Sequence, residues 1–189
     1  MGREFELKYA ATPQQQAAIL THFSNWENTA METTYFDTAD GSLSRKNCTL
    51  RRRMENGISV CTLKTPAAGF GRGEWDVEAP WCRDTTQKLF ADAGLSPISF
   101  KNLVMVCGAR FIRHAKVVEL ENCTVEIAVD AGILLGGSRE IPLCEVEVEV
   151  KSGDEAAATQ WAQAFAAQFG LQPEHRSKFS RAAALARGE

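Results

Sequence analysis

The sequence predicts an α+β fold: an antiparallel sheet, closed or strongly curved, turns a charged face inward and carries helices on its outer side. Three observations lead there. Glu4-Phe5-Glu6-Leu7-Lys8 alternates strictly, so two carboxylates and an ammonium share one face of a strand, with Phe5 and Leu7 on the other. Glu145-Val146-Glu147-Val148-Glu149-Val150 repeats the pattern near the other end of the chain. Between them, Leu50-Arg51-Arg52-Arg53 and Thr62-Leu63-Lys64 put cations at alternate positions. One such strand would simply show its charged side to water. Several together point to a polar interior, the reverse of a small barrel filled with apolar side chains.

The 189 residues suit one domain, 1–189, with a proper core. A hydrophobic share of 44% without any apolar run long enough for a bilayer argues against a membrane protein. Arg3, Glu4 and Glu6 stand where a signal peptide would be apolar, so a cytoplasmic location is expected. A net charge of -3 argues against bulk nucleic-acid binding, which needs a basic surface. The cysteines at 48, 61, 82, 107, 123 and 144 are spread without a CxxC pair, and no histidine stands near one in a zinc-like pattern. They read as reduced thiols, with Cys61 and Cys144 on apolar strand faces.

Taken in order, Thr12-Pro13-Gln14-Gln15 is a helix start with a capping box, followed by a stripe of Ile19, Leu20, Phe23 and Trp26 that packs outside the sheet. Thr33 to Thr38 is a strand ending in the turn Asp40-Gly41. The chain then runs from Leu43 to Met54, turns at Asn56-Gly57 and returns from Ile58 to Thr65. A two-residue type I′ turn there sets Glu55 against Ile58, Arg53 against Val60 and Arg51 against Thr62. Directly opposed residues share a face, and alternation adds Lys64 to Arg51 and Arg53. Three like charges on one face call for an anion, the more so in a water-poor cavity.

Gly69 to Gly73 reads as a hairpin connection, with Arg72 within reach of a ligand; it lacks the strand-turn-helix setting of a phosphate cradle. Glu74-Trp75-Asp76-Val77-Glu78 reads as a strand whose acidic side is solvated. A short helix is expected from Asp84 to Ala93, with Gln87 closing a capping box. In the strand from Arg110 to Glu119 the spacing does not choose between Arg110 and Arg113 as the inward cation. Val125 to Asp130 puts Glu126 and Asp130 on one side. After a turn near Gly136-Gly137 and the Glu145 strand, helices are expected over Asp154 to Phe169 and Arg176 to Arg187, with Lys178 and Arg181 on one face of the second.

The inward acids are then Glu4, Glu6, Glu126, Asp130, Glu145 and Glu147. The inward bases are Lys8, Arg51, Arg53, Lys64, Arg113 or Arg110, Lys178 and Arg181. A lattice of buried ion pairs seldom repays its desolvation. A polyphosphate bound with divalent cations uses both signs: guanidinium and ammonium on phosphate oxygens, carboxylates on Mg²⁺ or Mn²⁺.

These residues resemble the CYTH family, the triphosphate tunnel metalloenzymes. The likeness starts with the Glu4-x-Glu6-x-Lys8 signature and continues through Tyr35-Phe36-Asp37-Thr38, Arg51-x-Arg53, Thr62-Leu63-Lys64, Phe111-Ile112-Arg113, Glu126-x-x-x-Asp130, Glu145-x-Glu147 and Ser177-Lys178. It implies an eight-stranded antiparallel β-barrel tunnel with helices packed outside. It implies that Glu4, Glu6, Asp130, Glu145 and Glu147 hold metal, that Lys8, Arg51, Arg53, Lys64, Arg113 and Lys178 bind phosphate, with Arg181 beside them, and that Arg113 is chosen over Arg110. Family members include inorganic, thiamine and RNA triphosphatases and class IV adenylyl cyclases. The activity implied first is hydrolysis of inorganic triphosphate with two Mg²⁺ or Mn²⁺ ions, Glu4, Glu6, Lys8 and Glu147 being catalytic and Lys8 either a phosphate ligand or a base. Cyclic AMP formation comes second. Thiamine triphosphate hydrolysis, with Trp75 or Trp81 stacking on the thiamine, comes third, and a polyphosphate-binding module without turnover fourth. Arg52 departs from the pattern and should point outward. A stand-alone domain is expected, without the long C-terminal helical domain of some bacterial relatives, as is a monomer or homodimer.

Overall fold

Ten strands among the described residues, joined in one antiparallel sheet, follow from the alternation of apolar and charged side chains. They are β1 (Gly2–Glu4), β2 (Glu6–Ala10), β3 (Glu27–Thr38), β4 (Thr49–Glu55), β5 (Ile58–Pro66), β6 (Arg72–Glu78), β7 (Leu103–Glu119), β8 (Cys123–Gly136), β9 (Arg139–Gly153) and β10 (Gln172–Pro173). Four α-helices join them: α1 (Pro13–His22), α2 (Arg83–Asp92), α3 (Glu155–Phe169) and α4 (Lys178–Arg187). The computed structural model describes residues 2–66 and 72–189, with side chains for 5–66 and 73–189. The expected connection at Gly69 to Gly73 lies mostly outside the described residues.

The strand order is β1-β6-β5-β4-β3-β7-β8-β9-β2-β10, so β1 forms one edge of the ladder and β2 lies near the other, flanked only by the two-residue β10. Arg3 of β1 stands opposite Gly73 of β6, whereas Lys8 of β2 stands opposite Glu147 of β9. Only Phe5 separates β1 from β2, and its carbonyl accepts a hydrogen bond from the Val150 N–H at 2.9 Å. The opening segment therefore changes partner in mid-course and ties the two edges covalently. This corrects the expected closed eight-stranded barrel: the hydrogen-bonded order is linear, and the curl is bridged by the chain itself.

Two apolar clusters cover the outer face. α1 and α3 pack on Val125, Ile127, Val129, Val146 and Val148, and α2 packs on Leu50, Cys61 and Leu63. α4 differs. Its Ala182, Ala183 and Phe179 pack with Tyr35, Cys107, Ala109, Phe111, Leu134 and Leu143, residues of the inner face. The expectation that every helix lies outside is thus corrected, and the part of the interior that α4 covers is apolar. At Gly136 a Cβ would meet the Ala186 nitrogen at 2.5 Å and the Ala182 carbonyl at 2.6 Å, so only glycine lets α4 settle against β8.

The Asn56-Gly57 turn forms as its sequence requires. Both residues have positive φ, 48° and 88°, and β4 pairs with β5 through Glu55–Ile58, Arg53–Val60 and Arg51–Thr62. The capping box of α1 is present: the Gln15 N–H donates to Thr12 Oγ1 at 3.2 Å, and the Thr12 N–H donates to Gln15 Oε1 at 2.8 Å. Two helix starts move. α2 begins at Arg83 after Cys82, which leaves Asp84 in the first turn, and α4 begins at Lys178, capped by Ser177, whose hydroxyl accepts from the Ser180 N–H at 3.0 Å. Arg176 is drawn away from the helix by Glu174, 3.0 Å from its guanidinium. No helix among the described residues is long and apolar enough to cross a membrane.

Candidate active site

Register alone brings the charged side chains together. Across β2, β9, β8 and β7, Lys8 lies opposite Glu147, Glu145 opposite Asp130, and Asp130 opposite Arg113. Across β3, β4, β5 and β6, Arg51 lies opposite Thr62, and Lys64 lies opposite both Thr49 and Glu74. An acidic wall thus faces a basic one. Between them is a cavity of about 120 Å³ lined by Glu6, Lys8, Arg51, Arg53, Lys64, Arg113, Glu147, Glu149 and Lys178, with Thr33, Tyr35, Thr49, Phe111, Ser177 and Phe179.

Asp130 and Glu145 are fully buried just behind this lining, and Glu147 stands at its surface. One carboxylate oxygen from each of the three lies within 4.8 Å of the others. An all-oxygen set of this kind suits a hard divalent cation. Protein cations hold it in the structure. Lys178 Nζ is 2.8 Å from Asp130 and 2.8 Å from Glu147 and also contacts Glu145. Arg113 grips Asp130 with two hydrogen bonds, 2.8 and 2.7 Å, and reaches Glu147 at 2.5 Å. Arg181 pairs with Glu145. From outside, the buried Gln16 of α1 donates to the main-chain carbonyls of Asp130 and Glu145, at 2.8 and 3.2 Å, and locks the two strands in register.

Protonation follows from these contacts. Burial alone would raise Glu147, but Lys178 and Arg113 beside it hold its carboxyl well below the usual range. Burial likewise works against the charge on Lys178, and the three carboxylates around it overcome that and raise its pKa. Lys8 is desolvated too, yet Glu6, 2.8 Å away, keeps its ammonium above the ordinary lysine value. Arg53 goes the other way: burial and then the neighbouring Arg51 lower it despite Glu55. An anion in the cavity would relieve that strain.

Most of the residues marked in the sequence gather here. Glu6, Lys8, Arg51, Arg53, Lys64, Arg113, Glu147 and Lys178 line the cavity, Asp130 and Glu145 back it, and Arg113 rather than Arg110 turns inward. Arg181 reaches Glu145 without lining the cavity. Glu126 lies farther along β8, 4.0 Å from Lys151 and outside the three-carboxylate group. The side chains of Glu4 and Arg72 lie outside the described residues. The expectation of a solvated Glu74 is corrected. Glu74 sits 3.4 Å from Arg51 and 3.3 Å from Lys64, because β5–β6 pairing sets it opposite Lys64. Glu149, not among the expected site residues, also lines the cavity; its strict alternation with Glu145 and Glu147 is the signal that marks it. Trp81 stacks on Phe36 at 3.9 Å, and Trp75 packs in the same outer cluster, so neither offers a stacking surface to the cavity.

A family model described as the CYTH domain matches residues 2–183. The chain belongs to the CYTH family. This CYTH domain is 29% identical over 166 residues to an inorganic triphosphatase of Haemophilus influenzae; the match covers 82% of the chain and 47% of that relative, about half its length. Among solved structures it resembles a candidate adenylyl cyclase from Hippeastrum with a dominant triphosphatase activity, at TM-score 0.65 and 19% identity over 98% of this chain and 95% of the other. It also resembles the PH1819 protein of Pyrococcus horikoshii, at TM-score 0.65 and 18% identity over 98% and 99%. At these identities the structural likeness establishes the fold.

Proposed function

We propose that this CYTH domain, a single unit over residues 1–189, is a metal-dependent hydrolase that cleaves the terminal phosphoanhydride of inorganic triphosphate to pyrophosphate and phosphate. The observation that carries the reading is the pairing of an anion-binding wall, Arg51, Arg53 and Lys64, with a three-carboxylate set, Asp130, Glu145 and Glu147, across one small cavity. The activity named for the Haemophilus influenzae relative supports it.

In this reading Arg51, Arg53, Lys64 and Arg113 take phosphate oxygens and neutralise charge as it spreads over the transferred group, so catalysis is mostly positioning and electrostatics. Asp130, Glu145 and Glu147 would hold Mg²⁺ or Mn²⁺, and Glu4 and Glu6 are proposed as further ligands. When bound, such an ion polarises the phosphoryl oxygens and lowers the pKa of an attacking water. Lys8 keeps its proton at neutral pH, which fits a phosphate ligand better than a base. Lys178, which lines the cavity and is held by the three carboxylates, would be free to bind a phosphate oxygen if a cation took its place among them. The six free thiols fit a reducing, cytoplasmic setting.

The test is a substrate panel with Mg²⁺ and Mn²⁺. Phosphate should be released from tripolyphosphate much faster than from ATP or thiamine triphosphate, and only with metal. Equal turnover of all three, or cyclic AMP from ATP, would contradict the reading.

A further inference from the structure

Thr33 and Tyr35 are successive inward residues of β3, 3% and 4% exposed, and both line the cavity. Across the β3–β4 ladder Thr33 stands opposite Arg53 and Tyr35 opposite Arg51, so each hydroxyl shares a rung with one cation. On their other side are Ala109 and Cys107 of β7, small residues that leave the hydroxyls room. The Tyr35 ring is fixed by Phe179, with centroids 5.2 Å apart. Neither hydroxyl has a hydrogen-bond partner among the described residues. Other buried hydroxyls do: Thr62 donates to Asp76 at 2.5 Å, Thr85 to the Pro80 carbonyl at 2.8 Å and Thr86 to the Arg83 carbonyl at 2.9 Å.

Neither oxygen is among the sealed polar atoms that lack a partner, so both open onto the cavity, where valine or phenylalanine would fill the same space without offering a donor. Two of them on one strand, aimed into one cavity between arginines, mark a place where the partner is a ligand. Resting on the triphosphate reading above, we propose that the Tyr35 and Thr33 hydroxyls are phosphate-binding donors, the neutral half of a wall whose cationic half is Arg51 and Arg53. Neutral donors suit that place. Arg53 is already depressed by burial and by Arg51, so a further cation there would deepen the repulsion, whereas an O–H adds a bond to phosphate without adding charge. Burial raises the Tyr35 pKa, which keeps its proton available for donation.

Titration calorimetry with tripolyphosphate and Mg²⁺, run beside thermal unfolding without ligand, tests this on the full chain with Tyr35→Phe and Thr33→Val. Both variants keep the packing and remove only the hydroxyl. Each should bind tripolyphosphate about tenfold more weakly than wild type, the size of one hydrogen bond to a charged group, with a ligand-free Tm unchanged or raised. Wild-type affinity in both variants would overturn the inference, and a lowered Tm at wild-type affinity would overturn it in favour of a structural role. If the wild-type chain binds no tripolyphosphate, the proposed function falls, and the inference with it; the wild-type arm separates that failure from the others.

Discussion

The ammonium of Lys178 stands 2.8 Å from the carboxylate of Glu147 and is shared with Asp130 and Glu145, so a side chain of α4 serves as the resident cation of the three-carboxylate set. Removing one partner of a buried ionic group is far more costly than the net worth of the intact pair, because the remaining charges stay buried. Lys178→Met should therefore lose about 3 kcal/mol of stability without metal. Added Mg²⁺ should raise the Tm of the variant more than that of the wild type. Scanning calorimetry with and without Mg²⁺ decides, and equal shifts would show that the carboxylates do not take the ion.

Glu147→Ala should reduce metal-dependent phosphate release by about two orders of magnitude or more, the scale on which lost transition-state electrostatics are felt. The fold should survive, since Arg113 keeps its two bonds to Asp130, and Lys178 keeps Asp130 and Glu145. Circular dichroism and steady-state rates on one preparation check both halves.

Lys64→Ala should act mainly on binding. Lys64 faces the cavity beside Arg51, and Glu74 stands 3.3 Å from its ammonium. The expected result is a KM for tripolyphosphate raised about tenfold with a smaller change in kcat, because the lost interaction is made in ground and transition state alike.

Cys107 gives a prediction in pH. Burial pushes its thiol up to about 12, whereas in the unfolded chain a thiol ionises near about 8.5. Above that value the unfolded state releases a proton that the folded state retains, so stability falls as pH rises until about 12. Cys107→Ala should flatten the alkaline limb of the stability curve over this window, as read from urea midpoints at pH 8 to 11. An unchanged slope would place the alkaline loss elsewhere.

How much of this could be read from the sequence depends on how local the cause was. The Asn56-Gly57 turn fixes its own register, so Arg51, Arg53 and Lys64 could be placed inward from residue types alone. Strict alternation did the same for Glu145 and Glu147. Glu74 escaped because the β5–β6 connection carries no turn signal that counts register, and an acidic strand face looks alike towards water and towards arginines. The inward seat of α4 was hidden as well. Its apolar stripe shows which side is buried, but not which face of the sheet receives it; that is decided by tertiary partners such as Gly136 and Leu134. The open ladder at Phe5 likewise depends on both edges of the sheet, which alternation cannot report.

The most direct test is a crystal structure with tripolyphosphate and Mn²⁺, read from the anomalous signal of the metal. The result expected is manganese beside Asp130, Glu145 and Glu147, with the phosphate chain along Arg51, Arg53 and Lys64 and the Lys178 ammonium turned towards it. Manganese and triphosphate bound elsewhere, with Lys178 still seated among the three carboxylates, would contradict the account.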